Sequence, residues 1–247
     1  LSDLAAMGAA PAWALLALTL PRADARFVER FADGFAALAR AHEVALVGGD
    51  TTQGPLSVTV TALGMVPAGE ALTRGGARVG DGVFVTGILG DAAGALHQLQ
   101  NHATPASTLL ARLNRPEPRV AEGMALRGIA NACIDVSDGL LADLGHVCAA
   151  SSVGAELDDD AVPLSPALTA AFDPATCREL ALTGGDDYEL CFTAPVSREK
   201  EIAAKLEQAG CRAPRIGRIV AGAGVRVLDA RGNEIEMMRT GWEHFSR

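Results

Sequence analysis

Three short segments of the chain share one pattern: an apolar run ends, small or glycine residues follow, and a carboxylate occupies the turn. They are "LVGGD" ending at Asp50, "CIDVSDG" with Asp135 and Asp138, and "LTGGDD" with Asp186 and Asp187. Strand ends and helix starts are where α/β proteins place ligands. Glycines there let backbone N–H groups approach phosphate oxygens, and carboxylates supply the hard oxygen donors that Mg2+ takes. The pattern therefore predicts a site for a Mg-nucleotide.

A Ser or Asp just ahead of "LAAMG" or "GLLADLG" also has a purely structural reading, as the N-cap of a helix. Asp135 argues against that reading, because it precedes the cap at the end of an apolar strand, where an unpaired charge is costly. No Lys or Arg occurs from Asn131 to Thr176 to balance it. Two carboxylates three residues apart, joined by Asp50 and Asp3 from elsewhere, predict a cation cluster. Asp143, one turn further on, is expected to be structural or solvated.

The 247 residues carry a formal net charge of −9, which excludes a nucleic-acid partner, since phosphate backbones are bound by clustered Lys and Arg. A content of 49% apolar but only 4% aromatic residues suits a compact α/β core. The longest apolar run, Ala12 to Leu20, falls well short of the roughly 20 residues that span a bilayer, so no membrane partner is expected. The chain starts at Leu1 without a basic n-region, and is expected to begin part-way through a longer protein. Five cysteines with no C-x-x-C pair argue against a disulfide framework or a zinc site and suit a reducing cytoplasm.

Strands and helices interleave, so the fold class is α/β (α+β). "WALLALTL", bounded by Pro11 and Pro21, reads as a buried strand, and Phe27, Phe31, Phe35, Leu38 and His42 mark one face of a helix over Asp24 to His42. "VALVGGDTTQG" reads as a buried strand ending in a glycine turn, and "LSVTVTALGMV" as the next strand. Further on, the pattern predicts a strand Val83 to Thr86 followed by a helix, a helix Arg119 to Ile129, a strand at "ELCFTAP", and a helix Arg198 to Ala209 with Ile202 and Leu206 inward. Two late strands joined by a glycine turn follow at "RIGRIVAGAGVRVLD". Gly, Pro and charge interrupt the apolar pattern over residues 67–81, which places a boundary between domains 1–70 and 71–247. The Asp of "LVGGD" follows Asp3 by 47 residues and the first Asp of "LTGGD" follows Asp138 by 48, as a duplication would require, although so glycine-rich a chain gives such matches by chance.

Neither a P-loop nor a dinucleotide fingerprint is present, and the glycine run "TGILGDAAG" reads as a tight strand-to-helix turn. His42, His97, His102, His146 and His244 stand away from the acidic turns. Arg74, Arg115 and Arg119 are the candidate phosphate contacts, and Trp242 is a candidate packing anchor.

Taken together, "SDLAAMGA", "LVGGDTTQGPLSVTVTALG", "LTRGGARVGD", "IDVSDGLLADLGH", "LTGGDDYELCFT" and the closing "GWEHF" resemble the thiamine-monophosphate kinase family. Its superfamily is the aminoimidazole-ribotide-synthetase-like one. The resemblance implies a two-domain fold of that type, with the first domain truncated at its start. It implies phosphorylation of thiamine monophosphate by ATP, several Mg2+ ions, and a homodimer paired through the first domains. It also implies that Asp3, Asp50, Asp135 and Asp138 bind Mg2+, that Gly49, Asp50, Arg74 and Ser137 contact ATP, and that Asp186 and Trp242 contact the thiamine portion. The family usually has Gly-Gly-Glu-Asp where this chain has Asp186, one methylene shorter, and often an aromatic near Ala32. No catalytic general base is expected, because the nucleophile is a phosphate oxygen, mostly deprotonated at neutral pH with its second pKa of about 6. Two alternatives remain open on sequence grounds: another ATP-using superfamily member, of the ribotide cyclo-ligase or selenophosphate synthase type, and a non-catalytic nucleotide-binding remnant.

Overall fold

The computed structural model describes residues 1–242; Glu243, His244 and Phe245 of the closing motif lie outside the described residues. The first part comprises α1 (Ser2–Ala6), β1 (Ala10–Leu20), α2 (Ala25–Ala41), β2 (Ala45–Gln53) and β3 (Ser57–Met65). Its strands form one sheet in the order β2-β1-β3, with β1 parallel to β2 and antiparallel to β3. Asp24 starts α2 by accepting the Phe27 N–H at 3.0 Å, and the rings of Phe27, Phe31 and Phe35 stack in succession along the expected face.

Two expectations for this part are corrected. The strands expected to be buried are open: every residue of β2 is exposed, and in β1 only Ala14, Leu18 and Leu20 are buried. In addition, "VGGD" does not turn the chain but lies inside β2, with Asp50 opposite Ala17. Gly49 is needed there by close approach of the neighbouring strand. Its φ is +149°, and a Cβ would sit 1.9 Å from the Leu16 carbonyl oxygen.

The second part contains β4 (Asp81–Val85), α3 (Asp91–Gln100), α4 (Ser107–Asn114), α5 (Val120–Ala125), β5 (Ala132–Asp135), α6 (Leu140–Ser151) and β6 (Gly154–Asp158). It continues with α7 (Pro166–Ala171), α8 (Pro174–Thr183), β7 (Leu190–Pro195), α9 (Glu199–Gln208), β8 (Arg215–Val220), β9 (Gly224–Leu228) and β10 (Glu234–Ile235). Seven strands form a mixed sheet in the order β10-β9-β6-β8-β4-β7-β5. Alternation along its central strands feeds two apolar layers. Val83, Val85 and Ile134 join Leu140, Leu144 and Val147 of α6 on one side. On the other side Phe84 and Phe192, stacked at 5.3 Å, join Ile202 and Leu206 of α9 and Ala5 and Ala6 of α1.

The order of strands corrects three more expectations. The late strands β8 and β9 do not pair with each other, because β6 lies between them, antiparallel to β8 and parallel to β9. The helix expected over Arg119 to Ile129 ends at Ala125. "LTGGDD" follows a helix, α8, rather than a strand, whereas "LVGGD" lies within one, so the spacing of the two does not reflect duplicated local structure. All five cysteines are free and buried, and among the described residues no helix is long and apolar enough to cross a membrane.

Candidate active site

The strands β5 and β7 are neighbours at one end of the large sheet, with Asp135 opposite Leu190. The segments beyond this pair therefore run side by side. The Val136 N–H donates to the Glu189 carbonyl at 2.8 Å, the Tyr188 N–H to the Val136 carbonyl at 2.8 Å, and the Asp186 N–H to the Ser137 carbonyl at 3.0 Å. This stitches "DVSDG" to "GGDDYE". A third segment joins where the Trp242 N–H donates to the Asp138 carbonyl at 2.9 Å. Ser137, Asp138, Asp186, Tyr188, His97 and Trp242 together line an open cavity of about 660 Å³.

The capping reading of this segment does not hold, since neither Ser137 nor Asp138 caps α6 with its side chain. Instead the buried Asp143 reaches back from within the helix, and its Oδ2 accepts the N–H groups of Ser137 (2.9 Å), Asp138 (3.0 Å) and Gly139 (3.2 Å). Burial pushes the Asp143 carboxyl up, against those three donors. With the loop held from below, the Asp138 carboxylate has no hydrogen bond or ion pair among the described residues. His97 departs from expectation: it stands in the cavity wall with its ring edge-on to Phe172 at 5.3 Å rather than away from the acidic turns.

Asp135 ends β5 with 6% of its surface exposed and no ion pair among the described residues. Burial pushes its carboxyl up; the Ser2 hydroxyl and, more weakly, Arg74 pull it back, while the charge of Asp3 adds to the rise. Asp3, Arg74 and Asp135 are thus electrostatic neighbours. Arg74 is held near β5 by its loop: the Cys133 N–H donates to the Thr73 carbonyl at 2.9 Å and Ser151 Oγ to the Arg74 carbonyl at 3.2 Å. A buried carboxylate with a second acid beside it and no paired base is a donor set that fits a divalent cation. Among the described residues no three acids, histidines or cysteines converge on one metal position. Mg2+ is commonly bound through one or two carboxylates, with water and substrate phosphate completing its shell.

Other candidates lie elsewhere. Asp50 and Gly49 stand on the open face of β2, where Asp50 Oδ1 accepts the Thr51 N–H at 2.8 Å and, among the described residues, no polar contact ties it to the cavity. Arg119 is not available for phosphate, because it is paired with Glu189 at 2.7 Å and with Glu122 at 3.5 Å. Arg115 follows the end of α4 and forms no ion pair among the described residues. Nothing local to the sequence marks Arg112, while the sign of Tyr188 and Glu189 is the alternation that follows "GGD", with Asp187 and Glu189 buried and Asp186 and Tyr188 half-buried.

Comparison with known proteins decides the lineage. The AIR synthase related protein N-terminal domain family matches residues 1–66, and the corresponding C-terminal domain family matches residues 78–230. The thiamine-monophosphate kinase of Salmonella typhimurium is 45% identical over 251 aligned residues, covering 100% of this chain and 77% of the relative. The chain belongs to the thiamine-monophosphate kinase family. The Escherichia coli K12 kinase of that family is 44% identical with the same coverage. The crystal structure of the kinase from Stenotrophomonas maltophilia superposes with a TM-score of 0.88 at 51% identity, covering 92% of this chain and 74% of that one. AaThiL complexed with AMPPCP and TMP gives a TM-score of 0.85 at 33% identity, covering 99% of this chain and 77% of that one.

Proposed function

We propose that this chain transfers the terminal phosphoryl group of ATP to the phosphate of thiamine monophosphate, forming thiamine diphosphate. The observation that carries this is the junction of "DVSDG" and "GGDDYE" on one cavity, in a chain that superposes over 99% of its length on a relative holding an ATP analogue and TMP.

The acceptor oxygen needs no base, so the chain's task is to align two polyanions and offset their charge. Ser137 and Arg74 contact ATP, with Gly49 and Asp50 contributing from β2. Asp186 and Trp242 hold the thiamine portion, a carboxylate and an indole face against a cationic aromatic ring. Asp3, Asp135 and Asp138, with Asp50 from β2, would hold Mg2+. Bound Mg2+ supplies neutralisation of charge on the transferred phosphoryl group. His97 is assigned no proton transfer.

The same reading includes a homodimer formed through the first sheet. In register, Trp13 and Leu63 share one face and Val58 and Val60 the other, and all four are exposed. Apolar side chains uncovered on both faces of a three-stranded sheet support burial by a second copy. Light scattering reads the mass directly.

A substrate panel tests the activity. ATP consumption is expected only with thiamine monophosphate and Mg2+ together. Turnover with an aminoimidazole precursor or with selenide instead would contradict the assignment, as would nucleotide binding without any product.

A further inference from the structure

The segment Asp186–Glu189 alternates between anchors and presented groups. Asp187 and Glu189 point inward: both carboxylate oxygens of Asp187 lie within reach of the Gly90 N–H, at 3.1 and 2.9 Å, and fully buried Glu189 is held by Arg112, Arg119 and Thr86. Asp186 and Tyr188 point to the cavity. Both have left-handed backbones, with φ of +67° and +53°, a conformation a tyrosine rarely adopts. Such a conformation persists where surrounding contacts over-determine it, and it gathers at functional sites. Here it brings the Tyr188 hydroxyl to 3.0 Å from Asp186 Oδ1.

We infer that Tyr188 is a positioning residue for substrate: its hydroxyl fixes Asp186 Oδ1 and so turns Oδ2 towards the cationic ring of thiamine monophosphate. This rests on the assignment of Asp186 as a substrate contact. The chemistry favours a donor of this kind. A carboxylate accepts only, and the phenol is pushed up to about 12, by burial first and then by Asp186, so it keeps its proton and donates throughout the neutral range. Asp186 is also short. A side chain with one methylene fewer than Glu reaches less far into the cavity, and fixing its rotamer recovers alignment that length does not provide.

The test compares wild type, Tyr188→Phe, Asp186→Asn and the double variant, reading kcat, KM for each substrate, thermal midpoint, and thiamine monophosphate binding by calorimetry without ATP. Tyr188→Phe keeps the ring and its packing, and is expected to raise KM and Kd for thiamine monophosphate about fivefold, the scale of one ordinary net hydrogen bond. KM for ATP and the thermal midpoint stay unchanged. The double variant is expected to be no worse than Asp186→Asn alone, because the two residues act as one unit. If Asp186→Asn weakens substrate binding while Tyr188→Phe does not, or if the two effects simply multiply, the positioning role is overturned and the Asp186 contact stands. If Asp186→Asn changes nothing, the substrate contact and the positioning role both fall. Calorimetry separates these outcomes from failure of the kinase assignment, since it needs no turnover.

Discussion

Arg119 holds Glu189 through two parallel hydrogen bonds of 2.7 Å, Nε to Oε2 and Nη2 to Oε1. Glu189 is fully buried, so this pair, with Arg112 Nη2 also 2.7 Å from Oε1, ties α4 and the start of α5 to the segment entering β7. Removing one partner leaves a buried charge under-compensated, which typically costs about 3–5 kcal/mol. Arg119→Met is therefore expected to lower the unfolding free energy by about 3 kcal/mol in urea titration. A loss below about 1 kcal/mol would mean that Arg112 and Thr86 suffice.

Two glycines give opposite expectations. Gly49→Ala places a Cβ against the Leu16 carbonyl and should break the β1–β2 pairing, read as loss of soluble protein or of protected β1 amides in hydrogen exchange. Gly34, within α2, has no atom within 4 Å of its would-be Cβ, so Gly34→Ala should raise stability by about 0.5–1 kcal/mol. Equal outcomes for the two variants would contradict the strand register around Asp50.

Asp187 links stability to pH. Burial holds its carboxyl well above the usual value, so between the unfolded carboxylate range near 4 and its folded value the native state binds more protons than the unfolded one. Its stabilising contribution is then full below the unfolded value and is lost as pH rises through the folded one. Asp187→Asn removes this dependence, so the variant should gain in thermal midpoint relative to wild type between pH 4.5 and 7.5 on melts in buffers of about equal ionic strength. A constant difference across that range would show that Asp187 titrates as it does in water.

Neighbouring acids of the "DVSDG" loop should separate activity from stability. Asp138→Asn touches no side-chain hydrogen bond among the described residues and is expected to cut turnover by about a hundredfold or more, the scale of losing one electrostatic element of a transition-state site, with an unchanged melt. Asp143→Ala orphans three N–H groups and is expected to lower stability by about 3 kcal/mol. A stable, fully active Asp138→Asn would remove Asp138 from the metal site.

Elements with a strong local period were legible in the sequence: the Phe27, Phe31, Phe35 face of α2, the inward Ile202 and Leu206 of α9, and the alternation of β3. What depended on distant pairing was not. Nothing local to residues 215–228 tells that β6 inserts between β8 and β9, and an apolar run such as β1 reads as buried whether or not a second layer covers it. The same distinction runs through the site. Asp135, Asp138 and Asp186 stood out because carboxylates beside glycines are locally unusual. Arg119 reads as free for phosphate in the sequence because its partner Glu189 lies 70 positions away, and His97 reads as remote because the turn it faces is built from two other segments.

Direct transfer of the terminal phosphoryl group of ATP to thiamine monophosphate is followed by labelling that group. With ATP labelled in its terminal phosphate, thiamine monophosphate and Mg2+, the label is expected in the terminal phosphate of thiamine diphosphate, in proportion to ADP formed, with none retained on the quenched protein. Label released only as inorganic phosphate, or carried on the protein as a competent intermediate, would contradict it.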